Sequence, residues 1–221
     1  MPALIRIRTF LLLSAIAAAP VASAAAAAPT ATAKLPPSAA SSSLTPVLAG
    51  EFALQAGQLA DASHWYLEAA TEVPGDAGLA ERATRIAMLA NDTEAAAKAL
   101  ALWRQRAPES LAMRGAEASL ALRNGNLRQA LGLLAALLRD KDARGWRYAL
   151  VALVSGNRDP DVAAKVLDQL LDANAIPDQL EAWQEFGRLA LRLDQPKLAE
   201  RIVDQLVKRF PEEPRVALLH A

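Results

Sequence analysis

The chain has 221 residues, of which 53% are hydrophobic but only 5% aromatic, and its 24 basic side chains are balanced by 24 acidic ones. That length serves one ordinary domain or one solenoid, and a balanced chain without a basic patch argues against a nucleic-acid partner. The absence of cysteine excludes disulfides, thiolate zinc sites and a cysteine nucleophile together, and by itself says nothing of compartment.

Residues 1–24 read as a secretory signal peptide. Arg6 and Arg8 precede an apolar run from Phe10 to Ala19, Pro20 breaks it, and Ala22-Ser23-Ala24 supplies the small residues a signal peptidase accepts. Ala31-Thr32-Ala33 is a second candidate cut. The expected location is therefore exported, periplasmic or envelope-associated. The apolar stretch extends towards Ala28, near the length that spans a bilayer, so membrane contact is expected only if the signal stays uncleaved. A lipid-modified signal needs a cysteine after the cut, and none is present. Residues 25–43 are mostly alanine, proline, serine and threonine with Lys34 as the one charge. Such a composition has too little bulky apolar content to pack and reads as a disordered linker.

From residue 44 onward a period emerges. Gly57, Asn91 and Gly125 stand 34 residues apart, as do Ala62, Ala96, Ala130 and Ala164, and Pro74 and Pro108. After one inserted residue Ala199 follows Ala164 by 35, and Pro211 follows Ala199 by the 12 residues that separate Pro74 from Ala62. Alanine at recurring sites favours helices that approach closely. Glycine or asparagine ends a helix by taking a left-handed backbone, and proline stops one helix and starts another. No Val/Ile/Thr-rich alternating run points to a strand. Five units follow: 43–76, 77–110, 111–144, 145–179 and 180–213. The first carries Gly50, Gly57, Ala62, Tyr66, Ala69 and Pro74; the second Ala80, Ala83, Thr84, Ala87, Ala96 and Pro108; the third Ala118, Gly125 and Ala130; the fourth Tyr148, Val151, Ala152 and Ala164 with the insertion; the fifth Trp183, Gly187, Ala199 and Pro211.

In these residues the chain resembles the tetratricopeptide repeat family, whose unit is a pair of antiparallel helices. The resemblance covers residues 44–213 as five repeats. It implies an all-α fold, a right-handed α-solenoid of antiparallel helical hairpins, in which stacking buries the apolar face that one hairpin cannot bury alone. Residues 214–221 read as the start of a sixth, incomplete repeat that ends on apolar Val216, Leu218 and Leu219, so a truncated chain, a further partner or a longer parent protein is expected.

No constellation for catalysis stands out. His64 and His220 are far apart and neither pairs at i, i+4 with a second histidine, Ser63-His64 has no acid placed for a triad, and there is no glycine-rich phosphate loop. The segment Gly156-Asn157-Arg158-Asp159-Pro160 reads as a hairpin turn. No enzyme activity, metal or cofactor is expected. Trp65, Trp103 and Trp183 are expected to pack between helices, while Trp146 near the start of a first helix is a candidate ligand contact.

The resemblance further implies a protein or peptide partner in a concave groove lined by first helices. Carried over by register, the groove residues are Glu51, Leu54, Arg85, Met88, Ser119, Leu122, Trp146, Arg188 and Leu191. Arg85 and Arg188 are too far apart for a carboxylate clamp, so apolar anchoring with a polar rim is expected. The segments Leu48-Ala49-Gly50-Glu51-Phe52-Ala53-Leu54-Gln55-Ala56-Gly57 and Leu79-Ala80-Glu81-Arg82-Ala83-Thr84-Arg85-Ile86-Ala87 are similar to the bacterial envelope repeat lipoproteins that act as adaptors for a carboxy-terminal processing protease. That similarity implies an adaptor that recruits a protease and its cell-wall hydrolase substrates. The alternatives are an assembly scaffold for pilus, secretion or polysaccharide-export machinery, and an enzyme whose catalytic domain follows residue 221.

Overall fold

The computed structural model describes residues 44–156 and 159–213; the signal, linker and sixth-repeat segments, Asn157, Arg158 and His220 lie outside them. Among the described residues ten α-helices follow one another: α1 (Leu44–Gln55), α2 (Leu59–Glu72), α3 (Ala77–Ala90), α4 (Thr93–Arg106), α5 (Leu111–Arg123), α6 (Leu127–Leu138), α7 (Gly145–Gly156), α8 (Pro160–Asp172), α9 (Leu180–Arg192) and α10 (Pro196–Arg209). None of these helices is long and apolar enough to cross a membrane. The fold is an all-α solenoid in which odd-numbered helices are the first, and even-numbered helices the second, of each hairpin.

The helix boundaries follow from local chemistry. Asp76, Asp92 and Ser110 cap α3, α4 and α5 by accepting the N–H groups of Leu79, Ala95 and Met113 at 3.0, 2.9 and 3.2 Å. Each such cap satisfies a donor that the helix start would leave orphaned and contributes about 1 kcal/mol. Gly57 (φ 73°) and Gly125 (φ 70°) turn the first and third hairpins through the left-handed region, Asn91 (φ 65°) the second, and Asp194 (φ 57°) the fifth. Asn and Asp reach that region at lower cost than other side chains.

Packing follows the small-then-large rhythm of the sequence. Ala62, Ala96 and Ala130 are at most 1% exposed, and Tyr66, Leu100 and Leu134 fill the space one turn later. Trp103 and Trp183 are buried and Trp65 is half-buried. Each fully buried side chain of this size contributes roughly 1.5–3 kcal/mol.

The fourth hairpin departs from the register. Asn126 caps α6, but Asp159 caps α8 one residue earlier than a 34-residue step allows. Consequently Ala163 and Leu167, 2% and 0% exposed, hold the places of Ala130 and Leu134, and Ala164 stands beside the repeat phase rather than on it. Helix α7 is also turned about its axis. It buries Gly145, Trp146, Ala149, Ala152, Leu153 and Gly156, whereas Val151 is 61% exposed. The expectation that Val151 belongs to the packed framework is thus corrected. The cause is a close crossing of α7 on α5. A Cβ on Gly156 would lie 2.8 Å from Ser119 Cα and 2.9 Å from the Ser119 carbonyl oxygen, and one on Gly145 would lie 2.1 Å from the Leu137 carbonyl oxygen. Gly156 lets α7 lie against α5, Gly145 lets its start sit on the end of α6, and α7 barely touches its own partner α8.

Arginines join successive hairpins. Arg106 donates to the carbonyls of Ala70 (2.6 Å) and Asp76 (2.8 Å), Arg123 to those of Met88 and Ser155, and Arg139 to that of Ala173 at 3.2 Å. Other joints end on carboxylates: Arg82 pairs with Glu51, Arg104 with Glu117, Arg147 with Glu181, Arg201 with Asp168 and Asp172, and Arg209 with Asp178.

Candidate protein-binding surface

Two positions recur on the first helices and, apart from Trp146, account for the groove read from the sequence; Leu153 and Gly156 are their equivalents on α7, which that reading did not include. One carries Glu51, Arg85, Ser119, Leu153 and Arg188; the other carries Leu54, Met88, Leu122, Gly156 and Leu191. The structure keeps both at the surface of α1, α3 and α9. Leu54 and Met88 are half-buried, and Arg85 and Leu191 are exposed. Over α5 and α7 it closes both.

Ser119 is 2% exposed, and its hydroxyl lies 3.3 Å from the Ala152 carbonyl and 2.9 Å from the Ser155 hydroxyl. Leu122 is 4% exposed within the same core as Leu153. Helix α7 covers both, so neither lines an open groove. Trp146 is also corrected as a contact residue. It is 5% exposed, donates its indole N–H to Gln179 Oε1 at 2.9 Å, and carries the Arg147 guanidinium 5.2 Å above its ring. It pins the start of α7 to the residue that precedes α9.

The charged members are engaged within the chain. Glu51 accepts hydrogen bonds from the Tyr66 hydroxyl and Arg82. Arg82 also donates to the Tyr66 oxygen at 2.7 Å and stacks 5.0 Å above its ring. Burial, aided by the hydrogen bond to Glu51, pushes the Tyr66 hydroxyl up to about 12. Arg85 pairs with Glu81 and Arg188 with Glu185, each on its own helix. These exposed pairs are weak individually, but they leave the two arginines partly neutralised, which disfavours a grip on a free carboxylate.

Exposed apolar residues outside the groove read from the sequence include Leu89 (65% exposed), Val151 and Val154 (53%). Arg123 links the carbonyls of Met88 and Ser155, bringing the C-terminal ends of α3 and α7 within one guanidinium of each other. Leu89 and Val154, each next to one of those acceptors, are thereby brought to the same end of the first-helix row. The signal in the sequence was the stripe Gly145, Ala149, Ala152 and Gly156, small residues at helical spacing that mark the buried side of α7 and so place Val151 and Val154 opposite.

The second helices present a different surface. A cleft of about 430 Å³ between α8 and α10 is lined by Asp161, Lys165, Asp168, Lys197 and Arg201 among others, and Arg201 there is already shared by Asp168 and Asp172. His64 is exposed on α2, 3.7 Å from Glu68. Among the described residues no group of three or more histidine, cysteine or acidic side chains is placed to hold a metal ion.

Residues 155–221 match the model of the tetratricopeptide repeat family. No curated protein matches the sequence. Similar solved structures include MamA from Desulfovibrio magneticus, at 16% identity over 78% of this chain and 97% of that one, with a TM-score of 0.44. A tetratricopeptide repeat protein from Parabacteroides merdae shares 13% identity over 80% of this chain and 72% of that one, TM-score 0.45. YrrB, described as a repeat protein of the same kind with an unusual peptide-binding site, shares 14% identity over 80% and 91% of the two chains, TM-score 0.39.

Proposed function

We propose that this chain is an exported protein-binding scaffold that seats an apolar segment of another polypeptide on its first helices. One observation carries the reading. The exposed large hydrophobics among the described residues are Leu44, Leu48, Phe52, Leu89, Val151, Val154 and Leu191, and all of them lie on first helices. Isolated exposed apolar residues are ordinary, but their confinement to one class of helix is what a binding face requires. The match of residues 155–221 to a repeat family built for protein contacts supports it. The pairing of Arg85 and Arg188 on their own helices favours an apolar anchor over a carboxylate one.

The layout of residues 1–24 supports export to the envelope, and the likeness of residues 48–57 and 79–87 to envelope adaptors supports recruitment of a carboxy-terminal processing protease and cell-wall hydrolases. The test is affinity capture from envelope extracts, run in parallel with the wild-type chain and with Met88→Glu and Leu191→Glu. A partner retained by the wild type and lost from both variants is expected, with the protease among the captured proteins. Equal recovery by all three chains places binding elsewhere, and recovery of chaperones alone refutes the scaffold reading. Intact mass of the protein recovered from the periplasm is expected to show loss of residues through Ala24 or Ala33.

A further inference from the structure

We infer that the amino-terminal end of the array, formed by Leu44, Leu48 and Phe52, is a docking face for a second copy of this chain, in a symmetric end-to-end dimer. The argument starts from register. Leu44, Leu48 and Phe52 correspond, by steps of 34 residues, to Gly78, Arg82 and Ile86 on α3 and to Ala112, Ala116 and Leu120 on α5. In those helices the face meets the preceding hairpin. Ile86 is buried in one cluster with Ala53, Ala62 and Tyr66, Arg82 reaches back to Tyr66 and Glu51, and Leu120 is buried with Ala96, Leu100 and Trp103. On α1 the same face is open: Leu44 is 56%, Leu48 46% and Phe52 68% exposed.

The end of a solenoid that meets only water carries a polar outer face. This one is larger and more apolar than its internal equivalents, which are small or charged at the first two places. Gly78, Ala112 and Ala116 are small where they receive a tightly stacked hairpin; leucine at those places on α1 fits a looser, interdigitating contact. Charge then selects the occupant. The only ionisable side chain of α1 is Glu51, and it is held by Arg82 and Tyr66. A lipid surface would be met by lysine or arginine flanking the apolar stripe, and α1 has neither. An isologous contact sets a patch against itself, so any net charge on it would repel its copy; an uncharged stripe is the self-complementary solution.

The experiment is sedimentation of the full chain across a wide concentration range, with Phe52→Asp and, as a control at another exposed apolar position, Leu191→Asp. The wild type and Leu191→Asp are expected to dimerise alike, and Phe52→Asp to weaken the dimer at least about 30-fold. Circular dichroism establishes that the variants remain helical, as expected for substitutions of exposed side chains. Because the chain has no cysteine, a single spin label at Gln55→Cys reports the geometry, and one short distance between labels on two copies is expected. A wild type that stays monomeric at all concentrations, a dimer indifferent to Phe52→Asp, or labels that stay far apart in the dimer each overturn the proposal. The assay uses the purified chain alone, so its failure leaves the reading of the first-helix face standing.

Discussion

Replacing Gly156 by alanine tests the crossing of α7 on α5 most directly. The backbone at Gly156 is one that alanine can adopt, so the effect is spatial rather than conformational. The added Cβ would stand 2.8 Å from Ser119 Cα and 2.9 Å from the Ser119 carbonyl oxygen. Both are backbone atoms inside a helix and cannot rotate away. Separation of the helices is the remaining route, and overpacking of this kind costs about 1–3 kcal/mol. Separation also stretches the contact between the Ser119 and Ser155 hydroxyls at 2.9 Å and the bond from Arg123 to the Ser155 carbonyl at 3.1 Å, each contributing about 1 kcal/mol. The better helix propensity of alanine returns less than about 1 kcal/mol at a helix end. A net loss of about 2–3 kcal/mol corresponds to a fall of roughly 4–12 °C in Tm. Gly132, inside α6 and exposed, is the matched control, since its added Cβ would meet nothing within 4 Å; Gly132→Ala is expected to raise stability by about 0.5–1 kcal/mol. Thermal and urea denaturation followed by circular dichroism measure both. A Gly156→Ala chain as stable as the wild type, or a Gly132→Ala chain destabilised as much, would refute the close crossing.

The turn of α7 predicts unequal results at equivalent places. Val154→Ser is expected to change stability by less than about 0.5 kcal/mol, whereas Ile86→Ala and Leu120→Ala cost about 2–4 kcal/mol each in the same denaturation assay. Alkaline pH should unsettle the first joint. The unfolded chain releases the Tyr66 proton near pH 10 and the folded chain only near 12, so the stability it contributes is full below pH 10 and is lost between pH 10 and about 12. The loss amounts to as much as roughly 2–3 kcal/mol, and it is read as the difference between wild type and Tyr66→Phe in denaturation series across that window. Asp92→Ala removes the cap of α4 and is expected to cost about 1 kcal/mol by urea midpoint; no loss would mean that water replaces the carboxylate at no cost.

The helix ends and the stacking alanines were legible in the sequence because they answer to local demands. Gly57, Asn91 and Gly125 turn hairpins, and Ala62, Ala96 and Ala130 are buried, for reasons contained within one or two helical turns. The fourth hairpin was misread because a fixed period carried Ala164 and Val151 into places that the structure gives to Ala163 and to no packed side chain. What decides there is a contact between α5 and α7, far apart in sequence, and its trace was the small-residue stripe from Gly145 to Gly156. The surface reading fared in the same manner. Leu54, Arg85, Met88, Arg188 and Leu191 keep solvent access where the first helices follow the regular stack. Ser119, Leu122 and Trp146 lose it where α7 lies down on its neighbour, and Leu89, Val151 and Val154 emerge instead.

The arginine joints between hairpins respond unequally to ionic strength. Arg106, Arg123 and Arg139 donate to backbone carbonyls, neutral acceptors that dissolved ions compete for weakly. Arg147, Arg201 and Arg209 hold exposed carboxylates, an attraction that falls off as the Debye length shrinks to about 3 Å near molar salt. Rising salt therefore weakens the carboxylate joints, Arg82 to Glu51 at the front among them, more than the carbonyl ones. The compliance of each joint is thus set by its acceptor and by the medium around it.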